Sequence, residues 1–203
     1  MTLQSLIDKP KELLELIDSC LKPKQKEKQE NGEVFTPMFL IFEMLDNLDK
    51  QYTKEHRRSI FTEPSFKWFD PASGMGNFAV YLKLIEGLKT QIPNDEERKK
   101  HIIENMLYMS ELNKKNVFIS RQIFNLNDEY KLNLYEGDTL KLDILSVWGL
   151  QLNSFDIILG NPPYNKGGIR SHTGKLLGTK NETIWTKFIE KSLMRCWRNI
   201  LFG

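Results

Sequence analysis

The sequence predicts an α/β fold in which a mostly parallel sheet is flanked by helices on both faces. Three observations support this prediction. Short apolar segments of strand length alternate with segments of helical spacing, each apolar segment runs into a polar turn, and 203 residues are enough for one domain of this kind. Because a connecting helix carries the chain back over the sheet, neighbouring strands are expected to be parallel.

The predicted elements follow one another at regular intervals. Four segments have the length and apolar composition of buried strands: residues 66–70, 107–110, 132–135 and 155–159. Helical spacing is found over five others: residues 39–48, 78–89, 94–105, 114–125 and 183–193. The first helix is expected to open at Thr36 and Pro37, as an N-cap residue followed by a first-turn proline.

The last predicted strand, residues 155–159, is apolar on both faces and should lie in the middle of the sheet. Residues 194–203, which follow the final helix, lack the pattern of a strand that enters a loop. We therefore expect one side of strand 155–159 to be an open edge, which invites association with another chain.

The composition is that of an ordinary folded protein, with 40% hydrophobic and 28% charged residues, and it excludes a fully disordered chain. A net charge of +2 excludes a globally basic nucleic-acid binder, so any such surface must be local. Cys20 and Cys196 form no metal-ligand pattern, and no apolar run is long enough to span a bilayer. We expect a cytoplasmic protein with no metal site and no membrane partner.

Two regions are predicted along the chain. Residues 1–30 combine short amphipathic helical stretches with a charged linker and form an N-terminal extension. Residues 31–203 form the α/β domain.

The predicted strands end in polar residues, where open parallel sheets bind their ligands. Read in order, these ends carry Asp70, Glu111, Asp138 and Asn161. Because the carboxyl ends of parallel strands lie at one edge of the sheet, we expect the four side chains to converge on a single crevice.

The turn after the first strand contains two glycines, Gly74 and Gly76, which let the backbone pass close beneath a ligand. Asp70 at the mouth of this loop would repel a phosphate and favour a cationic ligand. Glu111 is placed to accept hydrogen bonds from both hydroxyls of a ribose. Interpretations without a ligand are also possible: the glycines would form an ordinary strand–turn–helix corner, and Glu111 would be a solvated side chain.

The segment Asn161-Pro162-Pro163-Tyr164 has the properties needed for methyl transfer to an exocyclic aromatic amine. The lone pair of such a nitrogen is delocalised into the ring. A site must therefore accept hydrogen bonds from both N–H groups in order to turn the lone pair toward the methyl donor. The Asn161 side-chain oxygen and the Pro162 carbonyl supply two acceptors, and Pro163 helps to hold the backbone rigid. Tyr164 can stack on a base. The alternative is a proline turn that merely ends a strand.

Taken in order, Phe35-Thr36-Pro37, Asp70–Phe78, Glu111, Asp138 and Asn161–Tyr164 resemble the successive motifs of the N6-adenine DNA methyltransferases. The resemblance covers about residues 31–192. The Thr-Pro element before the glycine loop is similar to the gamma arrangement, which includes the methyltransferase parts of restriction–modification enzymes. The resemblance implies a Rossmann-like, S-adenosylmethionine-dependent fold and direct transfer of a methyl group to adenine N6 in DNA, without a metal.

The resemblance also implies a role for each motif residue. The residues it implies as catalytic are Asn161, Pro162, Pro163 and Tyr164. Those it implies as cofactor-binding are Thr36, Pro37, Asp70, Pro71, Ala72, Gly74, Gly76, Asn77, Phe78, Glu111 and Asp138. Among these, the Thr-Pro element is expected at the methionine end of the cofactor, and Asp138 at its adenine.

Other functions remain open at this point. The same tetrapeptide serves methyl transfer to amines of RNA and to protein glutamine, although the Thr-Pro element before the loop favours DNA. A remnant that binds cofactor or a partner without catalysis is a second alternative. A nucleotide-dependent oxidoreductase is a third, and the acid before the glycines counts against it.

The family normally continues with further strands and a region that recognises the target sequence. The present sequence ends at Gly203, so we expect a truncated or split enzyme that lacks the C-terminal strands and is completed by a second chain or by self-association. Residues 165–183 carry five basic side chains and no acid before Glu182. They form either a loop that grips DNA phosphates or an unconstrained surface loop.

Overall fold

The computed structural model describes residue 12 and residues 36–74, 77–125, 127–163, 165–166 and 182–202. From residue 36 onward, the helices are α1 (Met38–His56), α2 (Phe78–Gly87), α3 (Asp95–His101), α4 (Lys114–Phe124), α5 (Ile144–Trp148) and α6 (Trp185–Arg195). The strands are β1 (Trp68–Asp70), β2 (Leu107–Glu111), β3 (Asn133–Glu136), β4 (Phe155–Gly160), β5 (Asn165–Lys166), β6 (Glu182–Thr183) and β7 (Cys196–Phe202). Short 3-10 helices occupy Ile60–Thr62 and Thr139–Lys141, and a π-helical turn, Ile102–Met106, joins α3 to β2.

Five strands form one parallel sheet in the order β3-β2-β1-β4-β7. The chain therefore runs outward from β1 through β2 to β3, then returns to the other side of β1 with β4. This reversal places the ends of β1 and β4 side by side, at the point where open α/β sheets bind ligands. The predicted α/β architecture and its four strands are confirmed.

Apolar residues cover both faces of the sheet. On one face Trp68, Leu107 and Ile157 join the larger core, which contains the buried sides of α1, α2 and α4. On the other face Phe69 and Ile158 belong to a smaller cluster that includes Ile144 of α5 and Trp148. This alternation explains the apolar sequence of β1 and β4, because strands covered by helices on both faces are buried on both.

The prediction of an open edge beside β4 is wrong. Strand β7 pairs with β4 in parallel, so β4 has a neighbour on each side. Two features of the sequence explain why this strand was not predicted. It starts directly after α6 without a glycine or proline to mark the boundary, and Arg198 and Asn199 interrupt its apolar run.

The start of α1 also differs from the prediction. The N-cap position is occupied by Pro37, not Thr36, and no side chain caps the helix. The Pro37 carbonyl accepts from the Leu40 and Ile41 amides at 3.0 and 3.2 Å, which begins the helix without a hydroxyl. The side chain of Thr36 is therefore available for another contact, described below.

Two predictions about organisation stay untested. Almost all of the N-terminal extension, residues 1–30, lies outside the described residues, and so does the basic loop apart from its base, where β5 and β6 pair antiparallel. None of the helices in the described part of the chain has the length and apolar character needed to cross a bilayer.

Candidate active site

The residues that follow the parallel strands lie together at one edge of the sheet. Asp70 and Glu111 are the last residues of β1 and β2, Asp138 follows β3, and Asn161 comes directly after β4. The β1 and β4 ends are in close contact, since a β-carbon added to Gly160 would lie 2.7 Å from Asp70 Oδ1. The four strand ends therefore lie along one edge of the sheet, as the sequence predicts.

The loop between β1 and α2 is closed by hydrogen bonds between its two ends. Asp70 Oδ1 accepts from the Ala72 amide, and Asp70 Oδ2 accepts from Asn77 Nδ2, each at 3.0 Å. Asn77 in turn accepts from the Val80 amide through Oδ1 and so caps α2. Gly74 has φ +56°, a left-handed backbone that favours glycine at this turn. Asp70 and Asn77 thus join the first and last residues of this loop.

Burial raises the pKa of the Asp70 carboxyl to about 7, and the nearby Glu111 carboxylate adds to this. The hydrogen bonds from Ala72 and Asn77 act in the opposite direction, because they stabilise the charged form, but they are the weaker effect. Asp70 as a whole is only 8% exposed. A positive charge at this position would favour the ionised carboxylate, so the site is suited to a cation.

Glu111 connects the end of β2 to the glycine loop. Its Oε2 accepts from the Gly74 amide at 2.8 Å, and its Oε1 accepts from the Asn113 amide at 2.7 Å. Glu111 thus joins the glycine loop to the turn that follows β2.

Two buried hydroxyls that the sequence analysis did not single out also stabilise the loop. Thr139 Oγ1 donates to the Pro71 carbonyl at 2.6 Å and lies 2.5 Å from Ser110 Oγ. The Ser110 carbonyl accepts from the Ser73 amide at 3.1 Å. Ser110 could have been noticed in the sequence, because it is a polar residue inside the apolar β2 segment. Thr139 could not, because its contact with Pro71 depends on which strands are neighbours in the sheet.

Other predicted cofactor residues have mainly local roles in this structure. Asp138 Oδ1 accepts from the Leu140 amide at 3.0 Å and caps the Thr139–Lys141 turn. Phe78 is buried in the core, where its ring packs against those of Tyr81 and Phe124. Pro37 is exposed. Gly76 and Tyr164 lie outside the described residues.

The Asn161 side chain has a partner at one end of its amide and none at the other. Asn161 Nδ2 donates to Thr36 Oγ1 at 3.1 Å, across 125 residues of sequence. Asn161 Oδ1 is buried and accepts no hydrogen bond from the described part of the chain. A buried acceptor without a partner costs about 1–3 kcal/mol. The neighbouring Pro162 is buried and Pro163 half-buried, so this acceptor is held in a rigid turn.

No group of His, Cys, Asp or Glu side chains in the described ranges is arranged to hold a metal ion.

Comparison with known proteins gives concordant results. The family described as N-6 DNA Methylase matches residues 18–188 of this chain. An uncharacterised adenine-specific methylase of Mycoplasma pneumoniae is 35% identical over 105 residues, which make up 51% of this chain and 22% of that protein.

Two solved structures share the fold. The DrdV–DNA complex superposes with a TM-score of 0.57 at 17% identity, over 87% of this chain and 21% of that one. The methyltransferase subunit of a type I restriction–modification system from Streptococcus thermophilus superposes with a TM-score of 0.53 at 19% identity, over 91% of this chain and 36% of the subunit. The predicted methyltransferase fold is confirmed, and this chain spans about a fifth to a third of the length of these relatives.

The family match extends over most of the chain and includes all the strand-end residues described above. It agrees with the order of the motifs in the sequence and with the fold. The chain belongs to the N-6 DNA methylase family.

Proposed function

We propose that this chain carries the cofactor-binding and catalytic part of a methyltransferase that transfers a methyl group from S-adenosylmethionine to N6 of adenine in DNA. The observation that carries the proposal is the buried Asn161 Oδ1, which has no partner among the described residues. Buried polar atoms are almost always hydrogen-bonded, so an acceptor without a partner at the end of β4 calls for an explanation. A substrate N–H group is the partner that this proposal supplies.

The chemistry of the adenine amine requires two acceptors. In the proposal, Asn161 Oδ1 accepts a hydrogen bond from one N6–H group, and the Pro162 carbonyl accepts a hydrogen bond from the other. Together they pull the nitrogen out of conjugation with the ring and direct its lone pair toward the incoming methyl group. Pro162 and Pro163 restrict the backbone, so little conformational entropy is lost when the base binds. Tyr164 is proposed as the stacking surface for a base turned out of the duplex.

The residues of the glycine loop fit a cationic, ribose-containing cofactor. S-adenosylmethionine supplies, when bound, an electrophilic methyl group on a positively charged sulfur. The buried Asp70 carboxylate would face positive charge on the cofactor, Glu111 would accept from its ribose hydroxyls, and Asp138 would lie by its adenine. Loop residues are proposed to shape the pocket floor: Pro71, Ala72, Gly74, Gly76, Asn77 and Phe78. Pro37 is proposed to approach its methionine end, whereas Thr36, which the resemblance also assigns there, is given a different role below.

Comparison supports DNA as the target and a larger assembly as the working form. The family is described as a DNA methylase, one structural neighbour is in complex with DNA, and another is a subunit of a restriction–modification system. Since this chain spans about a third of that subunit, we propose that target recognition lies in a further segment or a second chain. We place the protein inside the cell, with access to DNA.

The test is transfer of labelled methyl groups from S-adenosylmethionine to unmethylated DNA, with RNA and protein as parallel acceptors. We expect label in DNA adenine, and a loss of at least a hundredfold in rate for Asn161→Ala, because a preorganised acceptor contributes that much to a reaction of this type. Asn47→Ala, a matched change at an exposed position of α1, should leave the rate unchanged.

Each other outcome has a definite meaning. Label in RNA or in glutamine side chains, but not in DNA, would replace the proposed substrate by one of the alternatives. Cofactor binding without transfer to any acceptor would contradict a catalytic role for this chain on its own.

A further inference from the structure

We propose that Thr36 is a positioning residue, which holds the Asn161 amide in place so that Oδ1 can accept from the substrate amine. This inference rests on the proposed function, because the orientation matters only if Asn161 accepts from an amine. It differs from the cofactor role that the sequence resemblance implies for Thr36.

An asparagine side chain can present either end of its amide to a ligand. With Oδ1 outward it accepts from an amine, and with Nδ2 outward it opposes the amine with a second donor. A protein that uses asparagine as an acceptor therefore needs a contact that holds the other end. In this structure Nδ2 donates to Thr36 Oγ1 at 3.1 Å. A hydroxyl can also donate, so Thr36 holds the side chain in place, and the substrate amine, which only donates, selects the orientation with Oδ1 outward.

Thr36 is well placed to act as a rigid acceptor. It immediately precedes Pro37, and a residue before proline is restricted to extended backbone conformations. The next residue, Met38, is buried at the start of α1, which anchors the segment to the core. Because α1 is not capped by a side chain, the Thr36 hydroxyl is not engaged in starting the helix.

Asn161 is partly exposed, but its Oδ1 atom is buried. Without Thr36, Nδ2 would lose its hydrogen bond beside the buried Oδ1, which already has no partner among the described residues. With Thr36 present, Nδ2 has a partner and Oδ1 is the amide atom that lacks one among the described residues. In the proposed reaction the substrate amine binds at Oδ1. Residues 125 positions apart thus form one functional unit.

The experiment compares Thr36→Val with Thr36→Ser. Valine has nearly the shape of threonine but no hydroxyl, whereas serine keeps the hydroxyl. We expect Thr36→Val to lower kcat for methyl transfer by about ten- to hundredfold, with the Kd for S-adenosylmethionine and the KM for DNA nearly unchanged, because a misdirected reactive group costs that much. Thr36→Ser should restore most of kcat. Thr53→Val, a matched change on an exposed part of α1, should have no effect.

A second measurement does not depend on activity. Exchange of the Asn161 Nδ2 hydrogens with water, followed by NMR on the 15N-labelled chain and assigned by their absence in Asn161→Ala, should be slow in the wild type and in Thr36→Ser. It should be at least about tenfold faster in Thr36→Val, since the hydrogen bond that protects them is lost.

These results separate the inference from the proposed function. If the wild type transfers no label, the function proposed for the chain fails, and the exchange measurement still decides whether Thr36 holds the amide. If the wild type is active and Thr36→Val keeps full kcat, the inference is overturned. A parallel loss of cofactor affinity in Thr36→Val would also overturn it, in favour of the cofactor role.

Discussion

The two halves of the candidate site differ in how their polar groups are satisfied. At the ends of β1 and β2, Asp70 and Glu111 have a hydrogen-bond partner for each carboxylate oxygen, all within the loop and the turn that follow. At the end of β4, Asn161 has a partner for Nδ2 and none for Oδ1 among the described residues. The two carboxylates of the first half are paired before any ligand binds, whereas the Asn161 amide of the second half is fully paired only with a ligand.

This difference separates two physical tasks. A cofactor pocket must keep its shape, and internal hydrogen bonds serve this purpose because they fix the loop at no cost during binding. A site for an amine must offer an acceptor that nothing else occupies, which means keeping a buried oxygen without a partner. The contrast predicts that changes in the first half act on cofactor affinity, and changes in the second act on the rate of transfer.

The largest effect is expected for Glu111→Gln. The new amide group places a donor opposite the backbone N–H of either Gly74 or Asn113, so one of the two bonds is lost and the loop is released. We expect S-adenosylmethionine affinity to fall by about a hundredfold and stability by about 1–3 kcal/mol, measured by calorimetry and by urea unfolding.

Glu136→Gln is the matched control, because Glu136 is the register partner of Glu111 on β3 and is exposed. It should change neither quantity. An equal loss of S-adenosylmethionine affinity in both variants would show that cofactor binding depends on general negative charge and not on the two backbone contacts of Glu111.

A smaller effect is expected from pH. The pKa of Asp70 is raised to about 7 in the free protein, so the carboxyl must lose a proton to bind a cation. Cofactor affinity should therefore rise about tenfold between pH 6 and pH 8, and Asp70→Asn should remove this dependence. Calorimetry in two buffers of different ionisation enthalpy would detect the released proton, and affinity that is flat across this range would contradict the assignment of Asp70 to the cation.

The same shift has a consequence for folding of the free chain. Because the folded-state pKa lies above the usual value of 3.8, the stabilising contribution of this group is greatest at low pH and is lost as pH rises through about 7. Cofactor binding and folding thus respond to pH in opposite directions at one carboxyl. Urea unfolding of wild type and Asp70→Asn at pH 5 and pH 8 would measure this difference.

The smallest effect is expected for Ser73→Ala. Ser73 Oγ is buried in the glycine loop without a partner among the described residues, so its removal should leave stability unchanged or slightly higher. If cofactor affinity is also unchanged, the contrast between the two halves becomes sharper. A marked loss of affinity would show that the cofactor half also keeps an unpartnered atom for its ligand.

The sequence alone determined the architecture and the position of the site. Alternation of apolar segments with helical ones predicts a parallel sheet, and the polar residues Asp70, Glu111 and Asn161 mark the strand ends, because both signals are local. Local signals failed where no residue marks a boundary. Strand β7 follows α6 directly and was missed for that reason.

Only the tertiary structure decided how these residues are partnered. It buries Asp70 between the glycine loop and Gly160, which changes its pKa, and it places the Glu111 carboxylate against the Gly74 amide. It also brings Thr36 to Asn161 and leaves one amide oxygen without a partner. The physical reason is that hydrogen-bond partners and burial depend on distances between segments far apart in the chain, which no pattern within a single segment encodes.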